Sequence, residues 1–171
     1  MRNRGVEINV SADVLRIKDF TWNVNANVSY NKNEITELYN GITEYVASDT
    51  GRMVAVGHPL GEFYLNRYAG VNPTNGDALW YTKDGEITTE YNESDKVMLG
   101  KTHEAPWQGG FGTTLSWQGF SLSAQFTWVA DRWMLNNDRV FQESNGLFSA
   151  YNQSKRMLYD RWKKPGDVTD I

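Results

Sequence analysis

Carboxylate side chains cluster in the middle of the chain, where Glu86, Glu90, Glu93 and Asp95 follow one another closely. Two carboxyl groups can hydrolyse a glycosidic bond when one of them sits in a cleft that raises its pKa. The stretch that carries these residues is polar and has the composition of an exposed loop. We therefore predict that the chain is not an enzyme, and a glycan-active enzyme ranks only third among the functions considered.

Oxygen-bearing side chains at Asn72, Asn75, Asp77 and Asp84 raise the possibility of a calcium site, since Ca²⁺ binds carboxylate and amide oxygens. Their spacing does not match an EF-hand loop, and Asn-Gly and Asp-Gly are common turn sequences. The sequence contains no cysteine, which excludes thiolate ligands and disulfides, and its two histidines are the only imidazole side chains. We predict no metal and no cofactor.

Exposed aromatic residues are the remaining candidates for binding chemistry. The candidates are Trp80, Tyr81, Trp107 and Trp133, whose rings are suited to stacking on sugar faces or packing beneath a partner protein. The competing interpretation is packing within a loop or anchoring at a membrane interface. The net charge of -4 and the scattered basic residues argue against a nucleic-acid partner.

Trp107 and Trp133 lie beside segments with a strict two-residue alternation of apolar and polar side chains, which is typical of β-strands, whereas Trp80 and Tyr81 lie in the long segment between them. The first two segments are joined by a short polar turn, as are the last two, and a long segment separates the pairs. Strands are predicted at about 5–15, 20–31, 109–118 and 120–130.

Each strand has about 9–11 residues, which is the length that crosses a bilayer when tilted by roughly 45°. Aromatic side chains gather near the strand ends, with small or aliphatic side chains between them, as on the lipid-facing wall of a membrane barrel. The predicted membrane-interface aromatics are Phe20, Trp22, Trp117 and Phe120 near the short turns, and Tyr30, Phe111 and Trp128 near the far ends.

The connections alternate between short turns and long segments, at about 32–108 and 131–171, as in outer-membrane barrels. The first long segment is predicted to hold a small hairpin of strands at 78–82 and 86–88, and the second a helix from about Asn152 to Lys164. We predict an all-β fold, an antiparallel transmembrane β-barrel segment with long extracellular loops. The four strands cannot close a barrel, so we expect a fragment of a larger one.

The main alternative is a secreted β-sandwich that binds glycans through its loop aromatics. A sandwich needs apolar faces that meet as one core, whereas aromatics concentrated at the strand ends suit two membrane interfaces better.

In order and spacing, several motifs resemble the C-terminal barrel region of SusC/RagA family TonB-linked outer-membrane transporters of Bacteroidota. The resemblance covers nearly the whole chain. The motifs that carry it are Asn3-Arg4-Gly5-Val6-Glu7-Ile8, Asp19-Phe20-Thr21-Trp22, Asn31-Lys32-Asn33-Glu34-Ile35, Gly57-His58-Pro59-Leu60-Gly61-Glu62-Phe63-Tyr64, Tyr68-Ala69-Gly70-Val71-Asn72-Pro73, Gly109-Gly110-Phe111-Gly112-Thr113-Thr114-Leu115 and Gly119-Phe120-Ser121-Leu122-Ser123.

The resemblance implies a barrel of about 22 strands in the outer membrane of a Gram-negative cell. It also implies a plug outside this sequence, a SusD-like surface lipoprotein as partner, and energy from the TonB complex through regions outside this chain. The implied substrates are glycans or peptides, and the other contact of the wall is outer-membrane lipid.

Overall fold

Antiparallel strands make up nearly all of the regular structure. The computed structural model describes residues 1–47, 51–144 and 146–171. None of the helices in these three ranges is both long and apolar enough to cross a bilayer. The strands are β1 (Arg2–Ile17), β2 (Phe20–Glu34), β3 (Glu44–Ala47), β4 (Arg52–Ala55), β5 (Glu62–Leu65), β6 (Arg67–Val71), β7 (Ala78–Tyr81), β8 (Ile87–Thr88), β9 (Val97–Thr102), β10 (Trp107–Trp117) and β11 (Phe120–Ala130), and the helices are α1 (Asn137–Gln142) and α2 (Lys155–Tyr159).

The four long strands form one sheet in the order β1-β2-β10-β11, which we call the wall sheet. Its two hairpins are joined by β2 and β10, which pair antiparallel from Tyr30 opposite Trp107 to Phe20 opposite Trp117. The apolar faces of the hairpins therefore lie side by side in one surface. The β-sandwich alternative is not the fold, because it requires two apolar faces that pack against each other.

The short turns of the wall sheet follow from a few residues that tolerate a left-handed backbone. Gln118 and Gly119 have φ angles of 46° and 89°. A two-residue turn with positive φ at both positions matches the twist of the strands it joins, so it fixes the register of β10 and β11. In the other hairpin, Lys18 has a φ angle of 30°.

By compactness, the described chain divides into two units, Met1–Phe63 with Gly100–Trp133, and Tyr64–Leu99 with Met134–Ile171. The wall sheet belongs to the first unit, and the sheet β6-β7-β8 and both helices belong to the second. The segment between β2 and β10 also supplies the sheet β3-β4-β5-β9. This segment, predicted only as an outer loop with one hairpin, thus contains seven short strands, β3 to β9, among its described residues. The expected hairpin is β7 and β8.

The hydrophobic core of the first unit lies in the short strands and not in the wall sheet. Glu62, only 2% exposed, is buried there. One of its carboxylate oxygens accepts a hydrogen bond from the Gly100 amide at 2.6 Å, and the other lies 2.9 Å from His58 Nδ1. These bonds satisfy a carboxylate that would otherwise be costly to bury. The buried apolar side chains are Ile35, Met53, Val54, Ala55 and Phe63.

The predicted helix from Asn152 to Lys164 is too long, because α2 ends at Tyr159. Its cap is Ser154 instead of Asn152, and the Ser154 side chain accepts a hydrogen bond from the Arg156 amide at 3.3 Å. Beyond the helix, the Trp162 amide donates to the Ile171 carbonyl at 2.7 Å. In a longer helix the Trp162 amide would donate to a carbonyl of the preceding turn, but here its acceptor lies outside the helix.

Candidate functional site

The wall sheet has one continuous apolar face. Opposite residues in the register point to the same side, so the pairs Ala12 with Val24 and Val24 with Thr113 continue a row across the strands. The side chains on this face are Val6, Ile8, Val10, Ala12, Leu15 and Ile17 from β1, Phe20, Trp22, Val24, Ala26, Val28 and Tyr30 from β2, Trp107, Gly109, Phe111, Thr113, Leu115 and Trp117 from β10, and Phe120, Leu122, Ala124, Phe126, Trp128 and Ala130 from β11.

A β-bulge keeps this face apolar at the turn end of β1. The register of β1 and β2 shifts between Asp13 and Leu15, so that Leu15 stands opposite Trp22 and Ile17 opposite Phe20. The bulge inserts one residue and exchanges the faces of the residues that follow. Sequence alternation alone assigned even-numbered positions of β1 to the apolar face as far as Val14, and it missed Leu15 and Ile17.

Aromatic residues occupy both ends of the apolar face. Phe20, Trp117 and Phe120 form one row beside the short turns, and Trp22 lies in the next row. At the other end, the rings of Tyr30 and Trp107 are 4.5 Å apart.

Trp128 and the aromatic pair Phe111 and Phe126 lie farther inside the wall. Trp128 stands opposite Gly109, and a Cβ atom on that glycine would lie 2.8 Å from the Trp128 ring. Phe111 stacks on Phe126 at 4.9 Å, two rows farther into the wall than Tyr30. The interface role assigned to all seven aromatics remains a prediction, and Phe111 is the one that the structure places deepest in the wall.

Most of the apolar face is exposed. Phe120 is 77% exposed, Leu122 67% and Val6 62%, and many of the other apolar side chains of this face are also exposed. A contiguous exposed apolar surface of this extent is characteristic of contact with lipid or with another protein.

The opposite face of the wall sheet is polar and mostly uncharged. Asn25 and Gln125 flank Gly112 from the two neighbouring strands, and a Cβ atom on Gly112 would lie 2.2 Å from the Gln125 side-chain oxygen. The amide groups therefore fill the space that a side chain at this position would take. This face suits a wet or polar environment and not lipid.

Among the loop candidates, Trp80 and Tyr81 do not form one platform. They are neighbours on β7, and neighbouring residues of a strand point to opposite faces. The register places Trp80 opposite Tyr68, and Tyr81 opposite Arg67. A single ligand therefore cannot stack on both rings from the same side of this sheet.

Both rings also have partners within the second unit. Tyr68 and Tyr91 approach Trp80 edge-on, with ring centroids at 5.2 Å and 5.1 Å. The Arg67 guanidinium lies 5.4 Å from the centroid of Tyr81. These contacts give both candidates a packing role, while Tyr68 and Tyr91 are the exposed members of the cluster.

Trp107 and Trp133 are both partly exposed, at 44% and 47%. Trp107 packs on Tyr30 at the end of the wall sheet. The Lys101 ammonium lies 4.5 Å from the centroid of the Trp133 ring, and the Trp133 indole donates to Asp131 at 3.1 Å. Ligand contact by any of the four candidates remains a prediction.

The acidic loop residues are engaged in local structure. Asn75 and Asp77 are held by turn hydrogen bonds, including the Asn75 side-chain amide donating to Asp77 at 2.7 Å. Glu93 is exposed and accepts hydrogen bonds from Lys96 and from the Tyr91 hydroxyl. The Lys96 bond, followed by the Tyr91 bond, lowers the pKa of Glu93. A general acid of a glycosidase requires the opposite shift.

Searches for similar proteins found relatives along most of the chain. No family model matches it. It is 27% identical over 158 residues to TonB-dependent receptor P39 of Formosa agariphila, covering 92% of this chain and 14% of that protein. It is 30% identical to TonB-dependent receptor P3 of the same organism, covering 100% of this chain and 18% of that protein. TonB-dependent receptor SusC of Bacteroides thetaiotaomicron is 30% identical over 115 residues, which cover 59% of this chain and 11% of SusC.

Solved structures match the fold over nearly the same range. One chain of the RagAB peptide transporter has a TM-score of 0.92 and 32% identity, covering 99% of this chain and 19% of that chain. A chain of the RagAB peptide importer in its open-open state has a TM-score of 0.89 and 34% identity, with the same coverage. This chain therefore spans under a fifth of the length of these relatives. In sequence and fold it corresponds to a segment of SusC/RagA-type TonB-dependent receptors, as the sequence motifs predicted.

Proposed function

We propose that this chain forms part of the barrel of a TonB-dependent transporter in the outer membrane. The wall sheet faces lipid with its apolar side and the barrel interior with its polar side. The segments between β2 and β10 and after β11 form the outer vestibule. The observation that carries this proposal is the continuous exposed apolar face with aromatic rows at its two ends.

The dimensions of this face fit a bilayer. From Phe20 to Tyr30 the strand advances about 33 Å. At a tilt of about 45° this corresponds to about 23 Å along the membrane normal, close to the apolar band of outer-membrane barrels.

The wider assignment rests on the relatives. We propose a glycan or a peptide as the substrate, a SusD-like surface lipoprotein as the partner, and the TonB complex as the source of energy. The relatives are receptors and transporters, which supports a role in transport and not in catalysis.

Neighbouring positions on β1 offer a matched test of the membrane assignment. Val10 and Ser11 are both exposed, but Val10 lies on the apolar face and Ser11 on the polar face. In the full-length protein, Val10→Arg is expected to cost about 2–4 kcal/mol and to reduce the heat-modifiable, folded fraction in the outer membrane. Ser11→Arg is expected to fold like the wild type. Equal effects of the two substitutions would contradict the assignment of the faces.

A further inference from the structure

A cleft of about 390 Å³ opens in the second unit, between the β6-β7 hairpin and the residues around α2, and we call it the loop cleft. Its volume is at the small end for ligand sites, so it suits one side chain or one ring better than a larger group. Its apolar lining consists of Tyr68, Val71, Ala78, Met157, Trp162 and Ile171.

Trp162 is held in place as one wall of the loop cleft. Its indole donates to the Pro73 carbonyl at 3.2 Å, and the Gly166 amide donates to the same carbonyl at 2.8 Å. The ring packs directly on Gly76, where a Cβ atom would lie 2.6 Å from it and where φ is +83°. The position of the Trp162 ring therefore requires glycine at residue 76. Gly76 covers one face of the indole.

Charged side chains also belong to the lining, and Glu143 is one of them. Glu143, whose side chain is 11% exposed, accepts hydrogen bonds from Arg139 at 2.6 Å and 2.9 Å and from Arg156 at 3.1 Å. Arg156 also donates to both oxygens of Asp170 at 2.8 Å. The network holds the rim of the cleft in one arrangement, and Arg161 adds a further basic side chain to the lining.

The arrangement of apolar and charged residues in the lining favours a peptide over a glycan. A sugar ring presents hydroxyl groups around its edge, and burying them requires hydrogen-bond partners. The cleft is amphipathic: Val71, Ala78 and Met157 form an aliphatic and thioether part that suits an apolar side chain, and Glu143 and Arg161 belong to its polar part.

From this geometry we propose that the loop cleft binds a single apolar side chain of a peptide substrate. The assignment rests on the proposed transport function and selects the peptide from the two substrate classes. Polar backbone groups of the peptide then face the charged rim, while the side chain is removed from water.

The test uses the full-length protein in detergent and isothermal titration calorimetry. The probes are hexapeptides of glycine and serine that differ only in one central residue, Leu, Trp or Ser, together with a neutral glucose hexasaccharide. We expect the Leu peptide to bind about 10-fold to 100-fold more tightly than the Ser peptide, as burial of one aliphatic side chain implies.

Three variants localise the effect. Val71→Trp fills the cleft and is expected to abolish the preference for Leu over Ser. Val168→Trp makes the same change at a position of the second unit that is 88% exposed and outside the lining, and the preference should persist. Met157→Ala enlarges the cleft and should raise affinity for the Trp peptide relative to the Leu peptide, which a misfolded variant would not do.

The inference is overturned if the wild type binds the Leu and Ser peptides equally or binds neither. It is also overturned if Val71→Trp retains the preference, or if the hexasaccharide binds and Val71→Trp weakens it. None of these outcomes bears on the arginine substitutions in β1, which report on membrane assignment without any ligand. The two proposals can therefore fail separately.

Discussion

Trp22 carries a hydrogen-bond donor on the apolar face of the wall sheet. Its indole nitrogen donates to the Thr113 hydroxyl at 2.8 Å, and that hydroxyl lies 3.5 Å from the Asn23 carbonyl. Lipid offers no acceptor, so an indole at this level needs a partner within the sheet. The presence of a threonine in the middle of the apolar face is thereby explained.

Replacing Thr113 with Val should leave the Trp22 indole without its acceptor. In the full-length protein we expect Thr113→Val to destabilise the barrel by about 1–3 kcal/mol, the cost of an unsatisfied donor that lipid separates from water. The measurement is urea unfolding in detergent micelles, followed by the loss of heat-modifiable migration.

Trp22→Phe in the Thr113→Val background serves as the control, because it removes both partners of the bond. The double variant should recover much of the stability lost in Thr113→Val. If Thr113→Val does not lower the stability, or if the double variant loses the sum of the two single losses of stability, the hydrogen bond does not stabilise the wall sheet.

Glu143 gives the second unit a pH dependence of known sign. Hydrogen bonds from Arg139 lower its pKa, and the charge of Arg156 adds to the effect. A carboxylate with a lowered pKa in the folded state stabilises that state at neutral pH, and this stabilisation is lost as the pH falls through the folded pKa.

We therefore expect Glu143→Gln to loosen α1 and α2 at pH 7 and to have little effect at strongly acidic pH. The readout is hydrogen exchange of these segments, compared between wild type and variant at the same pH. The exposed Glu90, changed to Gln, provides the control and should match the wild type throughout. A difference in hydrogen exchange between wild type and Glu143→Gln that grows as the pH falls would contradict this prediction.

The β1 bulge makes a prediction at the level of the strand. Deleting Val14 should remove the bulge while Ala12 still faces Val24 and Leu15 still faces Trp22, so the apolar face is preserved. Deleting Val10 instead shifts the next residues by one and puts Asp13 opposite Val24 on the apolar face. Full-length protein lacking Val14 should reach a folded, heat-modifiable state, and protein lacking Val10 should not. Equal folding of the two deletions would show that β1 is not held in this register.

Local alternation was sufficient to predict the strands of the wall, because side chains on a strand alternate strictly between faces. The expected strand at 120–130 coincides with β11, and β2 begins at the expected Phe20. The bulge escaped prediction because Val14 and Leu15 are both apolar, which hides the inserted residue.

Local periodicity does not predict which distant segments pair. The contact of β2 with β10 joins strands separated by a long segment, and the partners of Trp80 depend on the register of β6 and β7. Trp80 and Tyr81 were grouped as binding candidates, although neighbouring residues of a strand point to opposite faces. Tyr68 and Tyr91, the exposed members of that cluster, carried no pattern that marked them in advance.

At the scale of the whole molecule, two features of the wall sheet determine how it can fold: its exposed apolar face and its two end strands. In the sheet that the described residues form, β1 and β11 are the end strands, so each presents one edge of backbone groups. Such edges are costly in lipid and promote aggregation in water, and the exposed apolar face adds to both effects. Stability of the wall sheet should therefore depend on further strands that continue it on both sides.

Folding of these 171 residues alone should accordingly differ from folding of the full-length protein. We expect the isolated chain to aggregate in buffer, and to give no heat-modifiable species in micelles, because its end strands find no partners there. The full-length protein should become heat-modifiable in the same micelles, with the β-sheet signal in circular dichroism resisting denaturation before heating. A cooperative, monomeric transition of the isolated chain in plain buffer would mean that the apolar face is covered in solution, and the membrane assignment of the wall sheet would then be wrong.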